Sequence, residues 1–342
     1  MKKLFSSLFV ILLLFSLHAN DAYFYMAGGQ LVPTQEKDIE VEMVEEVINI
    51  DLNFDYYEIT VDFFFYNYGK TVDLEIGFPF FCVGNASGYE GGKISDFKCW
   101  TNGIETSFVD YPIEKNWQKD TQLENAYVRT IKFPSKEITK TKISYKSTYG
   151  AAAPSYRIVQ YLYGTGSCWK NAIGKMTVKI QNNYEYKGIP YDFLNRVTLP
   201  PNSTVTRTGE NSWECVATNV EPASYTSCIT IWLGNIFQDN GPRILSKDRF
   251  FASKKVIPEK DLFWYTKPQL RLLRNAIYSF HGYPFKSQDL IDFFEKEMAD
   301  WGWYRPDHYP LDKDFSEDKL SDIEKQNVKT ILEEENKFNL IK

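Results

Sequence analysis

His281 is the side chain best equipped for proton chemistry, an imidazole beside Gly282 at the end of an apolar, helix-spaced run. Such a ring can act as acid, base or ligand. It can also cap a helix C-terminus, where a cation favours the dipole and can bond the last carbonyls. The cap is the preferred role, because the only other histidine beyond residue 20 is His308 and no Cys-x-x-Cys accompanies either. A zinc site needs such companions, so no metal is expected and no cofactor is implied. Arg274 and Tyr278 precede His281 on the same helix. Arg274 tied to a carboxylate such as Glu324 would join helices, whereas a free Arg274 beside Tyr278 and His281 would grip an anion with both prongs. The tie is preferred, since a small helical module needs polar locks, and Asn327 is expected to be another.

In the first two-thirds of the chain, Trp169 and Lys170 lie among Gly164, Gly166 and Gly174. A Trp beside such turns can stack on a sugar or on a partner's side chain, but more often it plugs the core of a sandwich. Cys168 lacks a neighbouring base, which argues against a thiol nucleophile. The remaining cysteines suggest two short disulfide loops, Cys82 with Cys99 and Cys215 with Cys228, each worth about 2–3 kcal/mol if formed. The acid pairs Asp51/Asp55 and Glu45/Glu46 stand in strand or turn settings where charge is expected to face solvent. A glycosidase would need two carboxylates across one cleft, and spacing alone does not supply them. No nucleophile elbow, P-loop, EF-hand or dinucleotide fingerprint is present.

These residues sit in a 342-residue chain with 43% hydrophobic and 25% charged residues, ample for a sizeable core. A formal charge of −6 argues against nucleic acid as a partner. Lys2-Lys3 followed by a largely apolar Leu4–Leu17 and a small residue at Ala19 reads as a secretory signal peptide over residues 1–19. Its apolar core, about 14 residues, is shorter than a membrane span needs, so export to the periplasm or exterior without a transmembrane segment is the expectation.

From residue 20 to about 245 the pattern is strand after strand, with 23 Tyr and 25 Phe in the chain. Tyr57–Tyr68, the Gly69-Lys70 turn and Val72–Phe80 read as a hairpin. The expected fold class is a mainly β body, an antiparallel sandwich or two small ones, followed by a small all-α domain of about three helices. Residues 246–261 are charged and weakly periodic and read as a linker, with a helical domain at 262–334 and a tail at 335–342. Helix starts are marked by Thr266 with Pro268, by Ser287 and near Ser316, and Gly282 with Pro284 marks a stop. Trp301, Trp303 and Tyr304 are the expected aromatic core of this domain, and Trp303 and Tyr304 are candidate binding residues.

The segments LRLLRNAIYSFHGYPF at Leu270–Phe285, Trp303-Tyr304, and LSDIEKQNVKTI at Leu320–Ile331 resemble the YARHG domain, a small bacterial domain of exported proteins. The name-giving motif here reads Tyr278-Ser279-Phe280-His281-Gly282, with Ser279 in place of Ala and Phe280 in place of Arg. If that Arg serves a common ligand in the family, the contact is missing here, whereas a purely structural motif would tolerate the change. The body resembles an uncharacterised family of exported bacterial proteins through NDAYFYMAGGQL at Asn20–Leu31, Ile76–Pro79 and YGTGSCWKNAIGKMTV at Tyr163–Val178. Neither resemblance supplies catalytic residues. Together they imply an exported, non-catalytic envelope protein whose body is a scaffold or interaction surface. Its tail would bind cell wall or an envelope protein. The rivals are a carboxylate-based cell-wall hydrolase and a secreted factor acting on a host.

Overall fold

The computed structural model describes residues 26–29, 32–33, 39–82, 94–112, 125–152, 156–184, 192–224, 227–235, 250–297 and 310–341. The expected signal peptide and the Trp301, Trp303 and Tyr304 cluster lie outside the described residues. The first half of the body supplies β1 (Met26–Gly29), β2 (Val32–Pro33), β3 (Val41–Leu52), β4 (Tyr57–Asn67), β5 (Val72–Cys82), β6 (Ser95–Thr101), β7 (Ile104–Glu105), β8 (Val109–Pro112), β9 (Asn125–Phe133), β10 (Ile138–Ser147) and β11 (Gly150–Ala152). The second half supplies β12 (Tyr156–Leu162), β13 (Ile173–Asn182), β14 (Asp192–Thr198), β15 (Thr204–Gly209), β16 (Ser212–Val220) and β17 (Cys228–Asn235).

One sheet runs β14-β17-β12-β1-β5-β9-β8, with β11 on β12 and β2 on β5; the other runs β15-β16-β13-β3-β4-β10-β6-β7. In each sheet a parallel pair, β1 with β12 and β13 with β3, joins strands of the two halves. The two halves therefore form one sandwich with one shared core rather than two small ones. Across that core Phe78 on β5 meets Tyr145 on β10 at 5.4 Å, and Phe65 on β4 meets Phe133 on β9 at 5.6 Å. Strict burial alternation along β4 follows from the period-two pleat with one face inward.

The expected hairpin at Gly69-Lys70 is not one: β4 pairs with β3 and β10, while β5 lies in the opposite sheet against β1, β2 and β9. Asn67 builds this arch. Its buried amide donates to the carbonyls of Lys70 and Phe133 at 2.8 and 2.9 Å, and its Oδ1 accepts from Gly69 N at 2.8 Å. Those bonds turn the chain out of one sheet into the other.

The helical region contains α1 (Phe251–Lys254), α2 (Lys267–Ser279), α3 (Gln288–Ile291) and α4 (Asp322–Lys337). Thr266 caps α2 in a reciprocal box with Gln269, and Pro268 sits in the first turn. The third expected helix starts later than Ser316. Residues Glu317–Lys319 form a 3-10 turn, and the helix begins after Ser321, whose hydroxyl and Glu324 cap each other.

Residues 250–261 do not form a linker. Phe250, Ala252, Ile257 and Leu262 are buried in the helical core, and Asn327 on α4 pins the segment. Its Oδ1 accepts from Ile257 N at 2.8 Å, and its Nδ2 donates to the carbonyls of Ala252 and Lys255 at 2.7 and 2.8 Å. The expected tail is also integral, because α4 continues to Lys337 and Phe338 is buried. The segment Phe263–Tyr265 docks this region on the body: Trp213 Nε1 donates to Phe263 O at 3.1 Å, and Tyr265 stacks on Phe193 at 4.3 Å.

Candidate functional site

Two helix ends create the site. At the end of α2, Gly282 takes a φ of 73°, its N–H bonds Ser279 O at 3.0 Å, and Tyr283 N bonds Tyr278 O at 3.2 Å. This Schellman turn satisfies the last carbonyls with backbone groups and leaves the His281 ring free to point elsewhere. Glycine is needed at 282 for the positive φ, and a β-carbon there would also run into the Pro310 carbonyl.

The ring reaches the start of α4, where His281 Nε2 and Glu324 Oε2 stand 3.0 Å apart, both side chains buried. His281 thus caps its helix through its backbone, while its ring joins a neighbouring helix instead of its own carbonyls. Glu324 Oε2 also accepts from Ser321 N at 2.8 Å and from the Ser321 hydroxyl at 3.0 Å. Burial pushes the Glu324 carboxyl up, but the Ser253 hydroxyl, the Ser321 backbone and His281 outweigh it and hold the group below the usual range. The Ser253 hydroxyl stands beside the carboxylate, and Glu324 Oε1 is itself buried from solvent.

These groups line a cavity of about 280 Å³ together with Lys254, Lys319, Leu320 and Ser321. Lys319 is engaged with Asp312 and with Asp314 O. Lys254 is exposed and forms no ion pair among the described residues. Serine, histidine and glutamate are all present, yet they do not form a nucleophilic relay. The histidine nitrogen and the Ser321 hydroxyl both bond the same carboxylate oxygen, so this serine is turned to the acid rather than to the ring. Among the described residues no group of three or more acidic, Cys or His side chains could hold a metal. No helix there is long and apolar enough to cross a membrane.

The other candidates are dispersed. Arg274 forms a two-pronged pair with Glu335, Nε to Oε1 at 2.6 Å and Nη2 to Oε2 at 3.2 Å, so its partner is not Glu324. Tyr278 donates to Glu317 at 3.2 Å. Burial first, then Glu317, raises its pKa. Phe280, at the position of the motif's Arg, packs on Phe250 at 5.1 Å. Trp169 is buried against Phe65 at 4.4 Å, a core plug rather than a recognition surface, and Lys170 pairs with Glu40 at 2.6 Å.

The expected disulfides are not formed, since Cys99, Cys215 and Cys228 are free. Their proposed partners lie on opposite sheets: Cys99 is on β6 and Cys82 on β5, Cys215 on β16 and Cys228 on β17. Cys99 Sγ instead donates to Thr106 O at 3.2 Å. Glu46, expected at the surface, is fully buried and accepts from the Tyr161 hydroxyl at 2.6 Å. A bulge between Met43 and Glu45 switches which face of β3 points inward.

Sequence reasoning missed Ser253 and Lys254, which fall in the segment taken for a linker, and missed Glu324 as the partner of His281. The usable signal was Ser321-x-x-Glu324, a capping-box spacing that sets the start of α4 and so brings its first turn to the end of α2.

Residues 245–336 match the YARHG domain family. No curated protein matches the chain. Among solved structures, a candidate nutrient binding protein of Legionella pneumophila subsp. pneumophila is 20% identical with a TM-score of 0.53, covering 92% of this chain and 99% of that one. This likeness is one of fold. An M1 zinc metallopeptidase from Deinococcus radiodurans, 9% identical with a TM-score of 0.29, covers 57% of this chain and 42% of that one, too remote to bear on it.

Proposed function

With a YARHG domain at residues 245–336 as the premise, we propose that this is an exported binding protein of the bacterial envelope. The helical region holds the ligand site and the sandwich presents it. The observation that carries this is a cavity of about 280 Å³ lined by the buried His281–Glu324 pair and by Lys254, which is exposed and forms no ion pair among the described residues. A hollow with a rigid polar wall and an unpaired cation at its edge is suited to a small polar ligand. Binding is favoured over turnover, because among the described residues the lining contains one acid where a carboxylate-based hydrolase needs two, and that acid is held ionised rather than poised to donate a proton. The name of the Legionella protein, which shares the fold, agrees with a binding role.

Peptidoglycan is the partner this reading favours. Purified chain should pellet saturably with isolated sacculi, release no soluble muropeptides, and lose pelleting on Lys254→Glu. Muropeptide release, absence of pelleting, or pelleting indifferent to Lys254→Glu would overturn the proposal.

A further inference from the structure

The turn that ends α2 carries an aromatic face outside the cavity. Asp312 N donates to Gly282 O at 2.8 Å and so docks the segment 310–316 on that turn. Phe315 is thereby set against Tyr278 and Tyr283, with ring centroids 6.0 and 5.1 Å away, and the two tyrosine rings stand 5.6 Å apart. All three rings pack against the helical core and are only half-buried. Tyr283 rests on Phe285 at 5.1 Å, and Phe285 stacks on Phe294 at 5.3 Å, so packed aromatic core backs the face.

The residues flanking Phe315 are acidic. The Tyr278 hydroxyl donates to Glu317 at 3.2 Å, and Asp314, Glu317 and Asp318 are exposed and form no ion pair among the described residues. Of the two lysines in residues 310–319, Lys319 is taken by Asp312, and Lys313 is left. Ring faces and carboxylates both attract cations. An anionic partner would be repelled, and a purely apolar one would leave the carboxylates desolvated without partners. A metal ion needs converging ligands, and no group of three or more acidic, Cys or His side chains could hold one among the described residues. A lysine or arginine side chain satisfies both parts of the face, its stem on the rings and its head against a carboxylate. Three carboxylates without cations call for several such side chains in a row, as an extended basic segment supplies, rather than for one small cation.

We propose that the Tyr278–Tyr283–Phe315 face docks a basic peptide segment of a partner protein. Its cationic side chains lie on the rings and meet Asp314, Glu317 and Asp318. Tyr278 has two tasks, offering its ring and, through its hydroxyl, holding Glu317 at the edge of the face. The chain's formal charge of −6 helps to draw such a segment in. This inference goes beyond the cavity. Glu317 and Lys319 are the ends of one 3-10 turn, but only Lys319 lines the cavity, so the two surfaces are tested apart.

The test is amide chemical-shift mapping of the purified chain at low salt during titration with a capped tetralysine peptide. The comparison is the same peptide acetylated on its lysines, which removes the charge and keeps the stems. Saturable shifts centred on Tyr278, Tyr283, Phe315 and Glu317 are expected with tetralysine alone, and they should weaken as salt is added. Affinity should fall about threefold in Phe315→Leu and by a similar factor in Glu317→Gln. Glu317 is exposed, so a loss in that variant is not a failure to fold. Glu105→Gln, which removes an exposed acid on the sandwich, should change nothing and so separates docking from general attraction to an acidic chain. Equal binding of the acetylated peptide would mean an apolar occupant and overturn the inference. So would shifts centred elsewhere, no binding of tetralysine, or an affinity indifferent to either Phe315→Leu or Glu317→Gln.

Discussion

Arg207 on β15 and Glu334 on α4 meet at 2.8 Å across the boundary between sandwich and helices, with 8% and 3% of their side chains exposed. The guanidinium lies between the rings of Phe263 and Phe338, 5.1 and 4.3 Å from their centroids, and Nη2 donates to Phe263 O at 2.6 Å. Lys337 adds a second cation to Glu334 at 2.7 Å. A pair this buried fixes how the two regions join more than it strengthens them, because desolvation offsets most of the attraction. Removing one partner is another matter, since the other charge is then buried alone.

Arg207→Ala should therefore destabilise the chain by about 3–5 kcal/mol in urea unfolding, with a transition that separates into two as the helical region loses its dock. Replacing both residues by Met should recover much of that loss. An Arg207→Ala transition that stays single, with an unchanged midpoint, would contradict the account.

Asn327 predicts a local failure. It is fully buried and makes three hydrogen bonds to the backbone of residues 252–257. Asn327→Leu leaves those groups unpaired at about 1–3 kcal/mol each. Limited trypsin digestion should then cut at Lys254 or Lys255 sooner than in the wild-type chain, where Asn327 holds this stretch of backbone.

Glu324 predicts an acid-side loss of stability. Its folded carboxyl titrates below the ordinary value of 4.5, so the unfolded chain takes up the proton first. The stabilisation it gives is complete above that value and disappears as pH falls through the lower, folded value. Glu324→Gln removes this titration, so the difference in unfolding free energy between wild type and variant should shrink as pH drops below about 4.5. A difference that stays constant from neutral to acid pH would count against the His281–Glu324–Ser321 arrangement.

The thiols give a fourth check. Burial, and then Glu214, push the Cys215 thiol up to about 12, so it should resist alkylation in the native chain. In denaturant without reductant, Cys99, Cys215 and Cys228 should all alkylate, as read by peptide mass spectrometry. A disulfide-linked peptide joining Cys215 to Cys228 would contradict the structure.

Much of the fold is legible because it is periodic. The alternation in Tyr57–Asn67 and the helix spacing from Leu270 to Ile277 place the β body and α2 directly, and Thr266 with Pro268 marks the helix start within a residue. The arch at Asn67 is not legible, because a tight polar turn looks alike whether the chain folds back within a sheet or crosses to the other. The bulge in β3 is partly legible. Val41 and Met43 are apolar at odd positions while Ile48, Ile50 and Leu52 are apolar at even ones, a change of parity that puts Glu46 on the inner face.

The site was the hardest part to read. His281 stands out by type, but its partner is 43 residues away on another helix, and Ser253 and Lys254 sit in a charged stretch whose buried residues, Phe250, Ala252 and Ile257, follow no strand or long-helix period. Only the tertiary lock of Asn327 brings that stretch to the cavity.

The most direct test of the central claim is backbone amide chemical-shift mapping of the chain during titration with soluble muropeptides. The account predicts saturable shifts centred on Ser253, Lys254, His281 and Ser321, with the amides of the sandwich unmoved and the response abolished in Lys254→Glu. Shifts centred on the sandwich, or none at these four residues at saturation, would contradict it.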